Sequence, residues 1–82
     1  MFKKNYCFGV PFWYAKVKQK MHPQYLGGHS EIKEYIRILD ITRTKNESYP
    51  YRLTIDGNFK GDFKTLKHAK EFALNECKDV ED

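Results

Sequence analysis

Eighty-two residues, 40% hydrophobic and 32% charged, suit one folded domain: the chain is too short for two cores and too apolar for intrinsic disorder. Its formal net charge of +4 is unevenly spread, with five lysines, six aromatic rings and no carboxylate in the first twenty residues, and an acidic tail, ECKDVED, over residues 76–82. No apolar run approaches the ~20 residues of a membrane span. A signal peptide is set aside by Pro11, the bulky rings and the lack of a small-residue cleavage site, so a cytoplasmic protein without a membrane partner is expected.

Residues 5–10 read as a short strand broken at Gly9 and Pro11. From Phe12 to Gln19 the side chains alternate, Trp13, Ala15 and Val17 on one face and Phe12, Tyr14, Lys16 and Lys18 on the other, which is strand periodicity. Residues 20–30, with Pro23, Gly27, Gly28 and Ser30, read as a long loop. Between Glu31 and Arg43 two periods compete. Ile32, Tyr35, Ile36 and Leu39 fit a helix face, while Ile36, Ile38, Asp40 and Thr42 alternate as a strand; the β-branched run IRILDITRT and the turn-like TKNES after it favour the strand. YRLTI, residues 51–55, is a half-buried strand. Asp56-Gly57 supplies a tight hairpin turn, and residues 58–63 return with Phe59 and Phe63 expected on one face.

Thr65 is a natural N-cap, and Leu66, Ala69, Phe72, Ala73, Cys77 and Val80 trace an apolar stripe, predicting an amphipathic helix over 66–78. One helix covers one face of a sheet. The expected fold is α+β: an antiparallel sheet of four to five strands with one C-terminal helix packed on one face, in a single domain spanning 1–82.

The inventory for catalysis is thin. His22, His29 and His68 are scattered, and no Walker loop, H-E-x-x-H, G-x-S-x-G or D-x-D spacing is present, so a non-enzymatic protein without metal or cofactor is expected. Cys7 and Cys77 stand alone and read as reduced thiols. What remains is surface chemistry. Lysines attract a polyanion without regard to sequence, and flat rings give unstacked bases a platform. The candidate RNA-binding residues are Lys16 and Lys18 with Tyr14 on one strand face, and Arg37, Arg43 and Arg52 on the neighbouring hairpin continuing the stripe. The partner expected is RNA, bound with low sequence specificity. The alternative is a protein-binding inhibitor or adaptor anchored by Trp13, Tyr25 and Leu26, whose affinity would resist salt.

Residues 51–74, YRLTIDGNFKGDFKTLKHAKEFAL, resemble the end of a double-stranded-RNA-binding domain, in which a hairpin and a glycine-containing turn lead to a helix opening Ser-Lys-Lys-x-Ala-Lys. Here the opening is Thr65-Leu66-Lys67-His68-Ala69-Lys70, and the resemblance assigns phosphate contacts to Lys67 and Lys70. Leu66 replaces one family lysine, and the family's N-terminal helix has no counterpart. In size, charge and Lys-, Asn-, Tyr- and Phe-rich composition the chain is also similar to the small basic counter-defence proteins of T4-like phages, including the RNA-binding TifA proteins. That likeness implies a phage protein that inhibits a host ToxN-type endoribonuclease toxin in the host cytoplasm.

Overall fold

The computed structural model describes residues 1–21 and 32–79. Five strands, β1 Lys3–Cys7, β2 Val10–Met21, β3 Lys33–Arg43, β4 Tyr51–Ile55 and β5 Asn58–Phe63, lie side by side in chain order as one antiparallel sheet, followed by a helix, α1 Leu66–Glu76. The helix packs on β3, β4 and β5, so the fold is α+β with one sheet face covered. The competition between helix and strand beyond residue 31 resolves as strand. Of the loop expected over 20–30, Lys20 and Met21 belong instead to β2; His22, Pro23, Tyr25, Leu26, Gly27, Gly28, His29 and Ser30 lie outside the described residues, as does Val80.

Two hairpins close on two-residue turns whose central residues both have positive φ, the backbone that matches strand twist. Asp56 (φ 54°) and Gly57 (φ 81°) join β4 to β5 as the sequence predicts. Phe8 (φ 51°) and Gly9 (φ 78°) join β1 to β2 in the same way, although a bulky residue at positive φ is disfavoured and gives no turn signal. The first strand therefore spans Lys3–Cys7 rather than residues 5–10. Pro11 does not break β2 either: it pairs with Tyr6 of β1 and lies just before the pairing with β3 begins at Phe12, where a missing N–H costs the ladder least.

Directly paired residues share a face, so the register sorts the side chains. Trp13, Ala15, Val17 and Gln19 of β2 stand opposite Ile41, Leu39, Arg37 and Tyr35 of β3, and Leu39 and Ile41 oppose Ile55 and Leu53 of β4; this face meets the helix. Phe59 and Phe63 do not share a face as expected. The register slips at Lys60, because Leu53 pairs with Gly61 and Thr54 with Phe59, and this bulge leaves Phe59 on the uncovered face while Phe63, opposite Tyr51, turns to the helix.

Leu39, Ile41, Leu53 and Ile55 are fully buried, each contributing about 1.5–3 kcal/mol by leaving water. Ala69 and Ala73 are fully buried too, small enough to let α1 lie close on that aliphatic floor, and Cys77 completes the core. Trp13, edge-on to Tyr51 at 5.8 Å, and Phe63, 5.2 Å from Phe72, line its rim. The Thr65 side chain accepts from the His68 N–H at 3.1 Å, the expected cap, although α1 ends at Glu76 rather than 78.

Candidate nucleic-acid interface

The face that the helix leaves open is built by the even residues of β2 and their partners. Lys3 pairs with Tyr14, Tyr14 with Asp40 and Asp40 with Thr54; Phe12 pairs with Thr42 and Thr42 with Arg52; Lys16, Lys18 and Lys20 pair with Ile38, Ile36 and Glu34. Lys16, Lys18 and Lys20 are exposed. Tyr14 is half-buried against Phe12, with ring centroids 5.8 Å apart. Beyond Tyr14 the pairing with β1 stops, and a hollow of about 330 Å³ opens there, lined by Met1, Lys3, Tyr14, Ala15 and Lys16. A second hollow, about 410 Å³, lies on the same face between Cys7, Val10, Phe12, Asp40 and Thr42.

Of the eight sequence-predicted residues, Tyr14, Lys16, Lys18 and Arg52 share this open face, and Arg37, Arg43, Lys67 and Lys70 do not. Arg37 and Arg43 do point the same way as each other, but that way is toward the helix: Arg37 pairs with Val17, and Arg43 with Tyr51. They therefore cannot continue the stripe of Lys16 and Lys18. Even spacing fixed their relation to one another, whereas their relation to β2 depended on the strand register.

Arg37 is occupied structurally. Its Nε donates to Asp56 Oδ2 at 2.6 Å and its Nη1 to Gln19 Oε1 and, at 3.8 Å, to Met21 Sδ. Gln19, 6% exposed, passes the connection on: its Nε2 donates to the carbonyls of Lys78 at 2.7 Å and Glu76 at 3.3 Å, covering acceptors that the helix end leaves open. Asp56 also accepts from the Ile38 N–H at 2.8 Å. Burial opposes its ionisation, but the Ile38 hydrogen bond, the Arg37 hydrogen bond and charge, and the Lys60 charge outweigh that and hold its carboxyl below the usual carboxylate value.

The other cations divide similarly. On the helix side, Arg43 lies over Tyr51 (5.9 Å), Lys70 over Phe2 (5.5 Å) and Lys4 over Trp13 (5.5 Å), so each already faces a ring of its own chain. Lys67 is exposed on α1. On the open face Arg52 pairs with Asp62 at 3.2 Å over Phe59, and Lys18 approaches Glu34 at 3.8 Å. Among the described residues Lys3, Lys16 and Lys20 have no ion-pair partner.

Sequence reasoning missed four members of this face. Lys20 continues the even series 14, 16, 18 and was legible. Lys3 reaches Tyr14 only through the β1–β2 register, set by the Phe8-Gly9 turn. Ile36 and Ile38, 64% and 48% exposed, alternate with Asp40 and Thr42 as expected of a strand, but alternation alone does not say that theirs is the open face while Leu39 and Ile41 are buried. Cys7 is exposed, Cys77 is buried, and both are free thiols; burial raises the Cys77 pKa.

Among the described residues no three metal-ligating side chains converge, and no helix is long and apolar enough to cross a membrane. No family model, curated protein or solved structure matches the chain.

Proposed function

We propose that this chain is a small non-enzymatic RNA-binding protein of low sequence specificity, acting through the open face of its sheet. One observation carries the reading: Tyr14 lies beside a hollow between Lys3 and Lys16, two lysines without ion-pair partners among the described residues, on the face opposite α1. A ring flanked by unengaged ammonium groups suits a base and its neighbouring phosphates. Low specificity follows from the residue types. Lysine is a point charge, and Arg52, the one arginine on this face able to read a base edge with two donors, is held by Asp62.

The likeness in composition to the counter-defence proteins of T4-like phages supplies a biological setting, restraint of a ToxN-type endoribonuclease through RNA in the host cytoplasm. Purification without nuclease tests the RNA reading. The expected product has a raised ratio of absorbance at 260 nm to that at 280 nm, which a high-salt wash returns to the protein value; clean protein at every ionic strength overturns it.

A further inference from the structure

The strongest unexplained arrangement is on the two-stranded arm that β2 and β3 make beyond the rest of the sheet. β1 pairs with β2 only as far as Tyr14, and β4 pairs with β3 only from Leu39, so among the described residues no third strand pairs with residues 16–21 or 33–38, which form a two-stranded ribbon. Its helix-side face is closed by Gln19, Arg37 and the segment after α1, where Lys20 N–H donates to Asp79 Oδ1 at 2.7 Å. Its other face carries Lys16, Lys18 and Lys20 in one row and Ile38, Ile36 and Glu34 in the next.

Alternate residues of a strand recur about every 6.7 Å, so the three ammonium groups are spaced much like successive phosphates of an extended single strand. The parallel row explains the isoleucines. Two large aliphatic side chains, 64% and 48% exposed and each directly opposite a lysine, offer an apolar bed for whatever projects sideways from a backbone lying on the lysines. In a single strand those groups are bases with open faces. A duplex turns its bases inward and leaves the bed uncovered. The pair between Lys18 and Glu34 is exposed on both sides and weak enough for a phosphate to displace.

Resting on the RNA-binding reading above, we infer that the ligand is single-stranded RNA running along β2, three consecutive phosphates on Lys16, Lys18 and Lys20, with bases over Ile38 and Ile36 and the Tyr14 ring at the Lys16 end of the row.

The test is fluorescence anisotropy of the intact chain with a labelled oligouridine and, separately, a labelled RNA duplex, each titrated from 50 to 200 mM salt. Three phosphate contacts on a single strand predict a slope of log affinity against log salt about 2 units shallower in Lys16→Gln/Lys18→Gln/Lys20→Gln than in the natural protein, that is, about 20-fold less affinity lost over this salt range. Ile36→Ser/Ile38→Ser should weaken oligouridine binding severalfold without changing the slope, and Lys67→Gln/Lys70→Gln should leave it unaltered. Circular dichroism confirms that each variant is folded. RNA binding that keeps its slope in the triple variant, or that favours the duplex, overturns the track and leaves RNA binding standing. Failure of the natural protein to bind either RNA overturns both readings.

Discussion

Removing the Arg37 side chain should damage the fold rather than the binding surface. In Arg37→Ala the Asp56 carboxylate loses a 2.6 Å ion pair and Gln19 Oε1, on a residue 6% exposed, loses its donor. The ion pair is part-exposed, 19% on the arginine and 37% on the aspartate, and is worth about 1 kcal/mol at most. The stranded amide oxygen costs about 1–3 kcal/mol. Together these give about 1–4 kcal/mol, a large part of the 5–15 kcal/mol that usually holds a domain together. Lysine at the same position keeps the charge but cannot bridge Asp56 and Gln19 with a planar fork, so Arg37→Lys should recover no more than about half. Urea unfolding, followed by circular dichroism and Trp13 fluorescence, reads the loss as a lower midpoint at constant m. Lys16→Ala, on the open face, is the control and should move stability by less than about 0.5 kcal/mol. Arg37→Ala falling within that same margin refutes the structural assignment and returns Arg37 to the pool of free cations.

Asp56 makes part of this stability depend on acid. Its folded pKa lies below the ordinary carboxylate value, so its contribution is complete above about pH 4, the unfolded value, and disappears as the pH falls through the lower folded one. The gap in urea midpoint between the natural protein and Asp56→Asn should therefore be widest near neutrality and close at low pH; a gap independent of pH contradicts this. Phe8, fully exposed at φ 51°, should be better served by asparagine: Phe8→Asn completes an Asn-Gly turn and should raise Tm by on the order of 5 °C, whereas a fall would mean that the ring packs. Tyr14→Ala should weaken oligouridine binding by about 10-fold. Equal affinity would leave a purely electrostatic surface.

The sheet, its final hairpin and the capped helix were legible because each carries a local signal: alternation in residues 12–19 and 51–55, Asp56-Gly57 at the turn, and Thr65 before a 3.6-residue stripe. What failed was relational. Arg37 and Arg43 could be matched to each other by counting, but their side of the sheet was decided by pairing with Val17 and Tyr51 across strands. Phe59 and Phe63 were separated by a bulge at Lys60, which inverts the alternation without any change in residue type. The side of the sheet taken by Ile36 and Ile38 was likewise not legible. Their β-branched character correctly announced a strand, but burial went to Leu39 and Ile41 because those residues, opposite Ala15 and Trp13, are on the face that meets α1, whereas Ile36 and Ile38, opposite Lys18 and Lys16, are on the other. Within the candidate site, Tyr14, Lys16 and Lys18 were found from one strand alone, while Lys3 needed the turn at Phe8 to bring it alongside.

The central claim, that the open face holds RNA, is tested most directly by reversing charge there. Lys16→Glu with Lys18→Glu changes two exposed side chains that project away from Trp13, Ala15 and Val17, so the circular dichroism spectrum should remain native. The account predicts that this folded double variant no longer binds oligouridine at a salt concentration where the natural protein does. Undiminished affinity in the folded double variant would contradict the account.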